Sequence, residues 1–140
     1  MLPRVTVARS LALGLASAAA LGGCSLGGNE EPKAARGAPK EVAEVVSRLD
    51  EALRSLDYET VCNELFTASA KKRAGGDDCV RLMRSATVDT RAPKVEIAGI
   101  VVRGDRATVK VRSSERGAAP IVDELELVRQ RGGYRIDSLR

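Results

Sequence analysis

PKVEIAGIVVRGDRATVKVR, residues 93–112, is the stretch in which the hydrophobic pattern changes from the period of a helix to that of a strand. Val95 and Ile97 alternate with the charged Glu96, and Ile100 and Val102 continue the two-residue period in the opposite phase. A period of two predicts a strand with one buried face. The phase changes across Gly99, and a glycine at such a change is typical of a β-bulge.

The rest of the C-terminal half repeats this alternation. Gly104-Asp105 predicts a tight turn into a second strand that carries Ala107, Val109 and Val111. A polar loop then leads to a third strand over 121–129, and Gly132-Gly133 turns it into a last strand with Tyr134 and Ile136. The sequence therefore predicts a four-stranded antiparallel meander.

The preceding half has helical spacing. Residues 40–56 predict an amphipathic helix whose apolar side is formed by Val42, Val45, Val46, Leu49, Leu53 and Leu56. Asp57 is a good N-cap for a short second helix, and Asp77 or Asp78 for a third. The run 70–74 between them is predicted to be solvated. Helices followed by strands indicate an α+β fold, with the helices packed on a curved antiparallel sheet.

Two short motifs carry a resemblance to a known fold family. They are Val61-Cys62-Asn63-Glu64-Leu65, followed by Asp78-Cys79, and the closing run Gly132-Gly133-Tyr134-Arg135-Ile136-Asp137. With the element order, they make residues 40–140 similar to the NTF2-like, or SnoaL-like, cone fold of small actinobacterial lipoproteins. The resemblance implies a pocket between sheet and helices, which family members use for ligand binding, dimerisation or, in some, catalysis.

The N-terminus resembles a bacterial lipoprotein signal that ends in Leu21-Gly22-Gly23-Cys24. Arg4 and Arg9 precede a short apolar run, which is too short for the roughly twenty residues of a membrane-spanning helix. The resemblance implies a signal peptide at 1–23 and a diacylglycerol on Cys24. The alternatives are an uncleaved membrane helix or an ordinary secretory signal.

Residues 24–39, the predicted lipidated cysteine and the residues after it, are expected to form a disordered tether, since Gly, Ala, Pro and charged residues dominate them. The expected location is the extracytoplasmic side of a cell membrane, with the lipid on Cys24 as the anchor. Two acyl chains give stable anchoring, whereas one binds membranes only marginally.

Two cysteines remain once Cys24 is assigned to lipid. An exported protein meets oxidising conditions, so Cys62 and Cys79 are predicted to form a disulfide that stabilises the fold by roughly 3 kcal/mol. A redox pair or a metal site are the alternatives. The spacing is far from C-x-x-C, and the sequence contains no histidine to complete a zinc site.

Composition narrows the functional classes further. Without Arg4 and Arg9 the chain has 21 basic and 19 acidic residues, a balance that argues against a nucleic-acid binder. Tyr58, Phe66 and Tyr134 are its only aromatic residues. The lack of histidine excludes the common nucleophile systems and most zinc sites, so we expect no metal and no cofactor.

Asp123 is the one candidate for chemistry. Period two places it on the same side of the third strand as Leu125 and Leu127, opposite Val111. An inward carboxyl group is the condition for a general base or a ligand contact, whereas a solvated carboxylate at a frayed strand end is the simpler interpretation. Tyr58 and Tyr134 are candidates to line the same pocket.

These observations favour a lipoprotein that is not an enzyme and that binds a small molecule or an envelope protein, with a homodimer as one arrangement. The alternative is an exported cone-fold cyclase or isomerase in which Asp123 acts as the acid or base.

Overall fold

The structure, a computed structural model, describes residues 33–140, with side chains from residue 37. The helices come first: α1 (Lys33–Ser55), α2 (Tyr58–Thr60) with a π-helical turn (Val61–Leu65), α3 (Ala68–Arg73), a 3₁₀ turn (Gly76–Asp78) and α4 (Cys79–Ala86). The strands β1 (Lys94–Arg103), β2 (Arg106–Ser114), β3 (Ile121–Gln130) and β4 (Gly133–Leu139) follow. The predicted α+β class, with helices packed on a curved antiparallel sheet, is confirmed.

The long helix α1 begins at Lys33, seven residues before the predicted start at 40. The sequence ahead of Pro39 is rich in Lys, Ala and Arg, which are good helix formers. Ala38 is also buried in the core, and this burial favours helix over tether at that position. Pro39 lies inside the helix.

The four strands pair in sequence order as an antiparallel meander. In β1 the partner of Ile97 is Val111 and the partner of Gly99 is Lys110, so Ala98 is the extra residue of a bulge. The predicted bulge is therefore confirmed. Because it reverses the phase, Ile97 and Ile100 face the same side of the sheet.

One hydrophobic core joins α1 to the inner face of the sheet. It includes the α1 residues Val42, Val46 and Leu49 and, from the sheet, Val109, Val111, Leu125, Leu127 and Ile136. The two periods explain the arrangement, since a 3.6-residue stripe and a two-residue alternation each leave one apolar face to bury.

The segment 70–74, predicted to be solvated, instead forms most of α3. The Thr67 hydroxyl caps this helix by accepting a hydrogen bond from the Ala70 backbone N at 3.0 Å. Ala70 is buried beneath it. A Thr cap and one buried alanine outweigh the basic run Lys71-Lys72-Arg73, whose charges remain at the surface near the helix C-terminus.

The predicted disulfide between Cys62 and Cys79 is present and joins the π-helical turn to the first residue of α4. Asp57 caps α2, as predicted, by accepting a hydrogen bond from the Thr60 backbone N at 3.1 Å. Asp78 occupies the N-cap position of α4, but its carboxylate accepts a hydrogen bond from Arg81 Nε at 3.0 Å and does not cap the helix.

The predicted signal peptide 1–23, the predicted lipidation site Cys24 and the predicted tether up to residue 32 lie outside the described residues. Within residues 33–140, no helix has the length and apolar character needed to cross a bilayer.

Candidate ligand-binding cavity

A cavity of about 360 Å³ lies between the helices and the inner face of the sheet. Its walls are mostly apolar, and both the helices and the sheet contribute residues to them. These residues include Leu49, Leu53, Val61, Phe66, Met83 and Leu125. The volume falls in the range of small-molecule sites, about 300–1,000 Å³, and such sites combine apolar walls with a few polar groups.

Asp123 is one of those polar groups. It lies opposite Val111 in the β2–β3 ladder, which is the predicted pairing, and it lines the cavity. Its Oδ2 accepts a hydrogen bond from Ser113 Oγ at 3.5 Å, the upper limit for such a contact. The Asp123 side chain is half-buried.

Asp137 is a second cavity carboxylate that the sequence pattern did not reveal. Leu127 pairs with Ile136 and Glu126 with Ser138, so Asp137 is the extra residue of a bulge in β4. Strict alternation would place it on the outer face, and the bulge turns it toward the cavity. Its Oδ1 accepts a hydrogen bond from Thr67 Oγ1 at 2.7 Å.

Arg73, at the end of α3, is the basic residue of the lining. Its guanidinium donates to Ser69 Oγ at 2.6 Å and to the backbone carbonyl of Asp137. The sequence showed Arg73 only as part of a basic run. Its place at the cavity depends on the packing of α3 against β4, which no local pattern reports.

The two tyrosines lie outside this cavity, so the prediction that they share it with Asp123 is corrected. The Tyr58 hydroxyl shares a hydrogen bond with Thr87 just beyond α4. The Tyr134 hydroxyl donates to the Gly104 carbonyl at 3.4 Å. Both rings are buried, and each is used to join elements at a distance from the cavity.

Tyr134 belongs to a separate polar cleft between α1 and the last hairpin. The Arg129 guanidinium lies 4.4 Å from the centre of the Tyr134 ring and forms an ion pair with Glu41 at 3.0 Å. Hydrogen bonding with Tyr134 and the charge of Glu41 raise the pKa of Arg129 above its usual value. These contacts join the β3–β4 hairpin to α1.

A groove of about 380 Å³ adjoins the cavity and shares Leu53, Val95 and Ser113 with it. Its outer wall is the loop between β2 and β3, at Glu115, Ala118 and Ala119. The cavity therefore continues into a groove at the end of the sheet where β1 and β3 begin and β2 ends. Within residues 33–140, no group of three or more Cys, Asp or Glu side chains is placed to hold a metal ion.

No protein-family model and no curated protein matches the sequence. Among solved structures, an NTF2-like protein of unknown function from Shewanella baltica OS155 aligns with a TM-score of 0.55 and 16% identity, over 78% of this chain and 94% of that chain. A de novo designed NTF2 fold protein aligns with a TM-score of 0.47 and 19% identity, over 69% and 83% of the two chains. The first of these likenesses, together with the helices packed on the meander, shows that the chain has an NTF2-like fold.

Proposed function

We propose that this chain is an extracytoplasmic lipoprotein, anchored through Cys24, whose NTF2-like domain binds a small and largely apolar molecule. The cavity between the helices and the sheet carries the proposal. Apolar side chains form most of its surface, and burial of apolar ligand surface supplies binding free energy at about 25 cal/mol per Å² before the costs of association.

The disulfide agrees with this assignment of compartment. Structural disulfides persist in oxidising environments and are rare in the cytosol. Cys62 and Cys79 are both buried and join two elements of the helical layer, one of which contributes Met83 to the cavity wall. These positions support a structural role for the bridge.

Native mass spectrometry tests the binding function on the full-length protein exported into a host membrane and purified in nanodiscs. We expect the native mass spectrum to show a bound small molecule that is lost on denaturation. The same spectrum gives the oligomeric state. Ala74→Phe fills the cavity from the end of α3 and is expected to abolish the adduct.

Ala86→Phe is the matched control, because Ala86 is exposed at the end of α4 and lies outside the cavity lining. This variant should retain the adduct. An adduct that survives in Ala74→Phe, or an empty wild-type protein that also fails to bind added apolar probes, would contradict binding in this cavity.

Asp123 supports a second candidate function, an exported cyclase or isomerase in which this carboxyl group moves a proton. The observation in its favour is the position of Asp123 on the cavity wall. Substrate turnover that is lost in Asp123→Asn, with the bound molecule retained, would favour the enzyme over the binding module.

A further inference from the structure

The polar groups of the cavity differ in how far their hydrogen bonding is satisfied within the protein. Arg73 donates to Ser69 and to the Asp137 carbonyl, and the Asp137 carboxylate accepts from Thr67. Among the described side chains, the Asp123 carboxylate has only the 3.5 Å contact with Ser113. Within residues 37–140, its oxygens form no ion pair with a lysine or arginine.

The surroundings of Asp123 are largely apolar. Its cross-strand neighbour Val111 and its same-face neighbour Leu125 are both buried. A half-buried carboxylate beside apolar walls loses part of its hydration, and a compensating cation or donor recovers that free energy.

The position of Asp123 also sets where a ligand's polar group would lie. Its contact Ser113 lines both the cavity and the adjoining groove, so the carboxylate lies near the junction between them. A cationic group at this junction retains some water, while an attached hydrocarbon body fills the apolar chamber.

From this arrangement we infer that the ligand is a cationic amphiphile, an apolar body bearing one ammonium group that pairs with Asp123. The inference rests on the proposed binding function and adds the chemical class of the ligand. A carboxylate ligand is disfavoured because its charge would face Asp123, and a neutral alcohol would gain a hydrogen bond but no charge pairing.

Three six-carbon probes separate these cases: hexylamine, which is an ammonium ion at pH 7, 1-hexanol and hexanoate. Binding to the ¹⁵N-labelled full-length protein in phosphatidylcholine nanodiscs is followed through the backbone amide shifts of Val95, Asp123 and Leu125. Local shifts in these residues distinguish occupancy of the cavity from partition into lipid. We expect hexylammonium to bind about tenfold more tightly than 1-hexanol, and hexanoate to bind most weakly.

Asp123→Asn should remove the preference for hexylammonium and leave 1-hexanol binding unchanged. Glu124→Gln is the matched control, because Glu124 is the next residue along β3. Its side chain lies on the outer face of the sheet, opposite Lys110 in the β2–β3 ladder. This variant should retain the tenfold preference.

If the three probes bind equally, or hexanoate binds best, the inference about charge is overturned and the binding function survives. If no probe shifts the three amides, the proposed function and the inference fail together. Unchanged amide dispersion in Asp123→Asn verifies that the variant is folded.

Discussion

Asp50 joins the long helix to the first strand through one side chain. Its Oδ1 accepts a hydrogen bond from the Val95 backbone N at 2.7 Å, and its Oδ2 pairs with Arg54 at 2.8 Å. The Asp50 side chain is 15% exposed, so the Val95 amide has little access to water as a substitute acceptor. This contact fixes α1 against the start of β1, beside the cavity residues Leu49 and Leu53.

Asp50→Ala is therefore expected to lower the free energy of unfolding by about 1–3 kcal/mol, because a part-buried amide loses its acceptor. Urea denaturation of the full-length protein measures the change. Glu51→Ala, at the neighbouring exposed position of α1, should change the stability by less than about 0.5 kcal/mol. Equal stabilities of the two variants would show that the Asp50 contact contributes nothing.

At the scale of elements, α4 is held to the helical layer by two tertiary links to the α2 region. One is the Cys62–Cys79 bridge at its first residue, and the other is the hydrogen bond between Tyr58 and Thr87 just beyond its last. Gly75, with φ of 115°, turns the chain into the 3₁₀ turn that precedes α4. The left-handed φ of Gly75 favours glycine, and a Cβ there would displace the exposed end of the Leu82 side chain, whose Cδ1 would lie 2.4 Å away.

Removing the bridge should loosen this wall of the cavity. We expect the double substitution Cys62→Ala with Cys79→Ala to cost roughly 3 kcal/mol in unfolding free energy and to weaken cavity binding, since α4 carries Met83. Urea denaturation and the native mass spectrum measure the two effects.

The control for this experiment is chemical reduction. Reductant should bring the wild-type protein close to the stability of the double variant and leave the double variant unchanged. Wild-type stability that resists complete reduction would contradict a stabilising role for the bridge.

At the scale of the whole molecule, the cavity lies toward the C-terminal end of α1. The described chain enters α1 at Lys33, whereas the α1 residues that line the cavity, Leu49 and Leu53, belong to its last two turns. At 1.5 Å of rise per residue, about 24 Å of helix separates Lys33 from Leu49. The cavity therefore lies far along α1 from the first described residue of the helix.

Cys24→Ala tests the anchor. We expect an uncleaved precursor that retains residues 1–23, or release of the protein from membranes, because the thiol that would carry the diacylglycerol is gone. Intact mass and membrane fractionation measure both results. Ser25→Ala should behave as the wild type, and unchanged mature mass and membrane retention in Cys24→Ala would refute the lipoprotein assignment.

Local patterns in the sequence were sufficient for most of the architecture. The amphipathic spacing of α1, the alternation in the strands and the phase change at Gly99 depend only on neighbouring residues, and each matches the structure. The α3 helix was missed because its main signal, the Thr67 cap, lies before a run of charges that resembles a loop. The same alternation gave the pairing of Asp123 with Val111, because a strand with one buried face has little freedom of register.

The sequence by itself determined the arrangement of helices before a four-stranded meander, the pairing of the two cysteines and the face that carries Asp123. Only the tertiary structure decided the composition of the cavity. Asp137 enters because a bulge rotates it inward, Arg73 enters because α3 packs on β4, and the two tyrosines are bound elsewhere. The physical reason is that a cavity forms where elements distant in the chain meet. Where they meet depends on the packing of the whole core, and the hydrophobic pattern of a single helix or strand does not specify it.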